Sequence, residues 1–128
     1  MIGLSVIIVN YNVRQFVLQT LHSIYQSQLD GLSIEVVVVD NNSSDGSVEA
    51  IRDHFPQTTN IANKNNPGFS KANNQGIGIS KGEFVLLLNP DTVLEEYTLA
   101  MSVARMKAES DIGALGVKMI DGTGTFLP

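Results

Sequence analysis

Gly82-Glu83-Phe84-Val85-Leu86-Leu87-Leu88-Asn89-Pro90-Asp91-Thr92 is an apolar run that stops on a polar turn. Phe84 to Leu88 is too short to span a membrane, and a short run between turn formers predicts a strand buried on both faces. Pro90 has no amide hydrogen and biases Asn89 towards an extended conformation, so the ladder should end there and the next side chains project from the carboxyl edge of the sheet. Asp91 is delivered to that edge. In open α/β sheets the carboxyl ends of the strands form the ligand crevice, and a carboxylate there is a hard oxygen ligand suited to Mg2+ or Mn2+ carrying a diphosphate. Taken alone, Asn-Pro-Asp-Thr also reads as a plain strand-to-helix turn, because turn chemistry favours the same residue types.

The flanking sequence repeats this pattern. Leu4 to Val9 is rich in β-branched residues and predicts a buried strand ending at Asn10-Tyr11-Asn12. With Asn12 as N-cap, Val13, Phe16, Val17, Leu21 and Ile24 recur at helical spacing and predict a helix to about Gln26. Ile34 to Val39 predicts a second strand ending on Asp40, and a helix follows from about Ser47 to Phe55, stopped by Pro56. Thr58 to Ala62 is a weak edge-strand candidate, and Phe69 to Ile79 is helical by its apolar spacing. Thr92-Val93-Leu94-Glu95 has the form of a capping box opening a helix to about Glu109, and Ile112 to Ile120 is a final strand candidate interrupted by Gly113 and Gly116. Strand starts near 4, 34, 58, 83 and 112 lie 24 to 30 residues apart, the length of a strand, a crossover helix and a return. Right-handed crossovers then give an α/β fold, a doubly wound and mostly parallel sheet with helices on both faces.

Composition narrows the partners. A chain of 128 residues is one domain by size, and 43% hydrophobic with 16% charged residues is a globular composition. Thirteen acidic against eight basic residues give a net charge of -5, with the basic residues scattered, which argues against nucleic acid as a partner. An acidic chain that binds an anionic nucleotide must use a metal, backbone amides or helix N-termini. No cysteine is present, so disulfides and thiolate metal sites are excluded, and His22 and His54 lack metal-ligand spacing. The apolar run Val6 to Val9 has neither the charged start nor the cleavage site of a signal peptide, so a soluble, cytoplasmic protein is expected.

In this layout Asn10, Asp40 and Asp91 all fall at carboxyl ends of strands. Asp40 reads either as an Asx-turn former or as an acceptor for the imide or amino hydrogen of a nucleotide base; Tyr11 reads as a half-buried aromatic or as a stacking platform for that base. Asp45 reads as a helix N-cap, and Gly76-Ile77-Gly78 lies inside a helix and not after the first strand, so it is no dinucleotide fingerprint.

Four motifs in order carry a family resemblance: Ser-Val-Ile-Ile-Val-Asn-Tyr-Asn at 5 to 12, Val-Val-Asp-Asn-Asn-Ser-Ser-Asp-Gly-Ser at 38 to 47, Asn-Pro-Gly-Phe-Ser-Lys-Ala-Asn-Asn-Gln-Gly at 66 to 76, and the opening stretch at 82 to 92. Together they resemble the family 2 glycosyltransferases of the GT-A, Rossmann-like fold. The resemblance implies an inverting transferase using a nucleoside diphosphate sugar, a divalent metal, and a glycan or lipid-linked acceptor. It places Asn10, Tyr11, Asn12 and Asp40 around base and ribose, Asn74 near the diphosphate, and Asp91 as last residue of the metal-binding Asp-x-Asp motif. Asn89 stands where that motif has its first acid, a weaker neutral ligand on the donor side. Asn-Pro-Asp is similar to the rhamnosyltransferase-like branch, which implies a dTDP-sugar beside a UDP-sugar. The family's general base is a carboxylate from a later segment, and no residue here matches it. The chain is therefore expected to be the donor-binding half of a truncated domain, peripheral to a membrane in the full-length protein, self-associating through an exposed sheet edge. The rivals are a noncatalytic nucleotide- or carbohydrate-binding module and a receiver-like phospho-acceptor domain; the latter needs an acidic pair where this chain has Asn10 and Asn12.

Overall fold

The computed structural model describes residues 1–116. Eight elements follow in order: β1 (Leu4–Asn10), α1 (Arg14–Tyr25), β2 (Ile34–Asp40), α2 (Ser47–His54), β3 (Thr59–Ala62), α3 (Phe69–Ile79), β4 (Phe84–Leu88) and α4 (Thr98–Ala108). The four strands form one sheet in the order β3-β2-β1-β4, and every neighbouring pair is parallel. The chain winds outward from β1 through β2 to β3, then crosses back to β4 on the other side of β1. That reversal puts a topological switch point between the carboxyl ends of β1 and β4, where open α/β sheets carry their ligand crevice.

Strand alternation separates two cores. Leu4, Val6 and Ile8 of β1, with Val36 and Val38 of β2, pack on one face against Val17, Leu21 and Ile24 of α1, Ile51 of α2, and Leu99 and Val103 of α4. Ile7, Val9, Val37 and Val39 point to the opposite face and pack on Ala72 of α3. Helices thus cover both faces, as the spacing predicts. On the second face Gly76 lets α3 sit directly on the sheet, since a Cβ there would fall 2.5 Å from Ile7 Cγ2. Gly76→Ala is therefore expected to cost about 1–3 kcal/mol through overpacking despite the better helix propensity of alanine. Urea unfolding measures it, and an unchanged midpoint would contradict this packing.

The structure corrects several sequence expectations. β1, buried at every position, is the central strand, whereas β4 lies at an edge of the described sheet. Phe84, Leu86 and Leu88 pack on the first core, but Val85 and Leu87 are 42% and 51% exposed, because α3 covers β1 and β2 and does not extend over β4. The helix expected from Thr92 starts at Thr98. Its first turn is replaced by bonds to α1 and the loop after it: Leu94 N–H donates to Ser23 Oγ, and Gln28 N–H donates to the Glu96 carbonyl. Asn12 does not cap α1. It adopts φ 52°, Val13 takes the cap position, and the Asn12 side chain turns to the loop after β2. Of the expected strand Ile112 to Ile120, residues 112 to 116 are not in a strand, and 117 to 120 lie outside the described residues. No described helix is long and apolar enough to cross a membrane.

Candidate functional site

The rim of the sheet is built where its strands end. Asn10 and Asp40 are register partners, the last residues of β1 and β2. Asn10 Nδ2 donates to Asp40 Oδ1 at 2.8 Å, and the Ser43 N–H donates to Asp40 Oδ2 at 2.8 Å. Both side chains are buried, Asp40 being 2% exposed. Asn10 Oδ1 is a buried acceptor with no partner among the described residues, an uncommon state for such an atom.

The loops after β1 and β2 are sewn together above this pair. Asn12 N–H donates to Ser43 Oγ at 2.9 Å, and Ser44 N–H donates to Asn12 Oδ1 at 2.8 Å. Asp45 joins the starts of two helices, accepting from the Arg14 N–H at 2.9 Å and the Ser47 N–H at 3.0 Å, and from the Ser47 hydroxyl. Partial burial alone would push its carboxyl up. The Ser47 hydroxyl and the Arg14 and Ser47 amides outweigh burial and hold it below its ordinary value. The stabilisation this gives is complete above the unfolded-state pKa and is lost as pH falls through the lowered one. Asp45 thus organises the loop, but it is not the N-cap that the sequence suggests: Gly46 takes that position, and the Asp45 carboxylate reaches past it to the Ser47 N–H.

A cleft of about 550 Å3 opens at the switch point, lined by residues that include Val9, Tyr11, Asn41, Gly68, Asn89 and Asp91. Tyr11 is half exposed there, offering a ring face. Residues after β1, β2 and β4 therefore meet on one rim. Among the sequence-predicted residues, Tyr11, Asn89 and Asp91 line the cleft, while Asn10 and Asp40 lie buried beneath it. Asn12 acts on the loops. Asn74 is exposed on α3 and is not among the lining residues, whereas its neighbour Asn73 is buried.

Sequence reasoning missed Thr20, Asn41, Asn66, Gly68 and Phe69. Thr20, fully buried in α1, donates its hydroxyl to the Pro90 carbonyl at 2.6 Å and so pins the turn that carries Asp91. The signal was available: a polar residue within the apolar stripe Val17, Leu21, Ile24. Asn41 is 2% exposed yet borders the cleft, and the Asn/Ser-rich loop after Asp40 gave no reason to single it out.

A metal would find few protein ligands here. No group of three or more His, Asp or Glu side chains converges among the described residues. Asp91 is exposed on the cleft and has no hydrogen-bond partner for its carboxylate among them. One free carboxylate beside the Asn89 amide suits an ion that draws its remaining oxygens from phosphates and water, the usual way Mg2+ is held.

Comparisons with known proteins agree with this layout. The chain is 29% identical over 128 residues to the poly(ribitol-phosphate) beta-N-acetylglucosaminyltransferase TarS of Staphylococcus aureus, an alignment covering 97% of this chain and 22% of TarS. It is 27% identical to the minor teichoic acid biosynthesis protein GgaB of Bacillus subtilis, over 92% of this chain and 14% of GgaB. The chain thus spans about a fifth or less of the length of these relatives. Residues 1–349 of TarS in complex with UDP-GlcNAc share the fold, with a TM-score of 0.76 at 23% identity, covering 92% of this chain and 37% of that one. The mannosyltransferase PcManGT of Pyrobaculum calidifontis, in complex with GDP-Man and Mn2+, superposes with a TM-score of 0.73 at 29% identity, over 80% of this chain and 32% of that one. These neighbours are GT-A glycosyltransferases, and the α/β sheet described above is of that type. With the model of glycosyl transferase family 2 matching residues 5–127, from the start of β1 to beyond α4, the chain belongs to that family.

Proposed function

We propose that this chain is the donor-binding part of an inverting, metal-dependent glycosyltransferase that moves a sugar from a nucleoside diphosphate sugar to a glycan or lipid-linked acceptor. The observation that carries the reading is the shared rim. The half-exposed Tyr11 ring and the Asp91 carboxylate, which has no partner among the described residues, border one cleft at the switch point, and the buried Asn10–Asp40 pair lies beneath it. The UDP-GlcNAc in the TarS complex and the GDP-Man and Mn2+ in the PcManGT complex support a ligand of this class, with UDP preferred to dTDP.

Each residue has a part consistent with its chemistry. Tyr11 stacks on the base. Asp40 keeps lone pairs beyond those used by Asn10 and Ser43, and offers one to the base's imide hydrogen. Asn89 and Asp91 face the diphosphate, and Thr20 holds their turn in place through the Pro90 carbonyl. A divalent ion bound there would neutralise charge gathering on the departing diphosphate. The acceptor hydroxyl would attack the anomeric carbon from the face opposite the diphosphate, losing its proton to a base that no residue of this chain matches. Binding with little or no transfer is accordingly expected of this chain. A cytoplasmic site of action, peripheral to a membrane, accords with a nucleotide-sugar donor and a lipid-linked acceptor.

Calorimetric titration with UDP and dTDP, with and without Mn2+, tests the reading. Metal-enhanced binding of UDP is expected; no binding of either nucleotide in the presence of metal contradicts it. The edge of β4, which has no partner strand among the described residues and carries the exposed Val85 and Leu87, is proposed to pair between copies. Sedimentation should then give a mass that rises with concentration, and a clean monomer at all concentrations would refute it.

A further inference from the structure

Three aromatic rings border the cleft, and none of them is among the side chains that pack on the two cores. Tyr11 follows β1, Phe16 lies in the first turn of α1, and Phe69 opens α3. Each is half exposed or more. Apolar surface gains by leaving water, so three rings held open on one concave surface mark a place where a ligand supplies the cover. A nucleotide base stacked on Tyr11 has only one further face to offer. At least one ring is left for another part of the ligand.

The backbone sets Phe16 beside the turn that carries Asp91. Thr20 Oγ1 lies 3.0 Å from the Phe16 carbonyl and 2.6 Å from the Pro90 carbonyl, so the first turn of α1 and the turn at residues 89–91 meet at one hydroxyl. Side chains on a helix lean towards its N-terminus. For α1 that direction leads to the rim where β1 ends, and the Phe16 ring accordingly lines the cleft together with Asn89, Pro90 and Asp91. Phe69 belongs to α3, which packs on the opposite face of the sheet from α1.

In a nucleoside diphosphate sugar the base and the sugar stand at opposite ends of the diphosphate, so a ring beside the diphosphate turn is in reach of the sugar. A glucose-type pyranose carries its hydroxyls around the rim and has at least one face of C–H bonds. Such a face lies flat on an aromatic ring while the hydroxyls stay free to hydrogen-bond. We propose that Phe16 is the platform for the donor sugar, seating a hexopyranose by its apolar face, while Tyr11 keeps the base. The assignment rests on the function proposed above and names the wall of the cleft on which the sugar lies.

Calorimetry with UDP and with UDP-GlcNAc, each in Mg2+, tests the platform on three variants. Phe16→Ala is expected to weaken UDP-GlcNAc binding about fivefold, the scale of one aromatic contact, and to leave UDP affinity unchanged. The ring is more than half exposed, so the urea midpoint should not move. Phe16→Tyr keeps the ring and should restore the affinity for UDP-GlcNAc, and Phe69→Ala should not separate the two ligands. Equal losses for both ligands in Phe16→Ala would make Phe16 a second base platform. No loss for either, or a selective loss in Phe69→Ala instead, would put the sugar elsewhere. Each of these overturns the assignment while the nucleotide reading stands. If the unsubstituted chain binds neither ligand, the function proposed above fails and the platform fails with it.

Discussion

Asp40→Ala is expected to remove detectable nucleotide binding and to lower the unfolding free energy by about 2–4 kcal/mol. The carboxylate is 2% exposed and holds two donors, Asn10 Nδ2 and the Ser43 N–H, each at 2.8 Å. Alanine leaves both without their acceptor at the junction of the two loops, and a buried donor left unmade costs more than a surface hydrogen bond gains. The loop from Asn41 to Asp45 depends on the same anchor, so Tyr11 and Asn41 would lose their settings together. Asp40→Asn separates the two effects. It keeps the volume but turns one acceptor into a donor that opposes either Asn10 or Ser43, so an intermediate loss of stability is expected. Urea denaturation and calorimetry measure the pair, and wild-type stability with wild-type affinity in Asp40→Ala would show that the carboxylate organises neither loop nor ligand.

Asp91→Ala should do the opposite, sparing the fold while removing the metal response. The side chain is exposed, and among the described residues nothing is bonded to its carboxylate, so stability should stay within about 0.5 kcal/mol. UDP affinity measured with Mn2+ should fall at least about tenfold, roughly 1.4 kcal/mol, to the value found with EDTA. Asn89 cannot compensate, because a neutral amide oxygen is a weaker ligand than a carboxylate for a hard cation. A variant that keeps the full Mn2+ enhancement would move the metal away from this turn. Asp40→Ala and Asp91→Ala thus divide the rim into a part that is structural and binding at once and a part that only binds.

The two kinds of residue also differed in how legible they were. Apolar runs named β1, β2 and β4, since a parallel sheet covered by helices allows little else at those positions, whereas the short, half-exposed β3 gave only a weak signal. The polar residue after each run marked the rim, and this sufficed to bring Tyr11, Asp40 and Asp91 to one edge. What the sequence could not show was set by contacts between distant segments. Thr92 to Glu95 satisfies a local helix rule, yet Ser23 on α1 takes the Leu94 amide and the helix waits until Thr98. Asn12 satisfies a local cap rule, yet the Ser44 amide claims its side chain. Thr20 donates to Pro90 and Asn41 accepts from Asn63, partners 70 and 22 residues away. Phe84 to Leu88 reads as buried on both faces because composition reports the burial a strand can tolerate, whereas α3 lies over β1 and β2 and not over β4.

The most direct test maps the ligand onto the chain itself. Backbone amide NMR of the isotope-labelled chain, titrated with UDP in Mg2+ and repeated with traces of Mn2+, reads both halves of the rim in one experiment. The account predicts shifts concentrated at residues 9–13, 40–44, 66–69 and 89–92, with paramagnetic broadening strongest around Asp91. Shifts centred instead on the outer edge of β4 and on α4, or broadening far from Asp91, would contradict it.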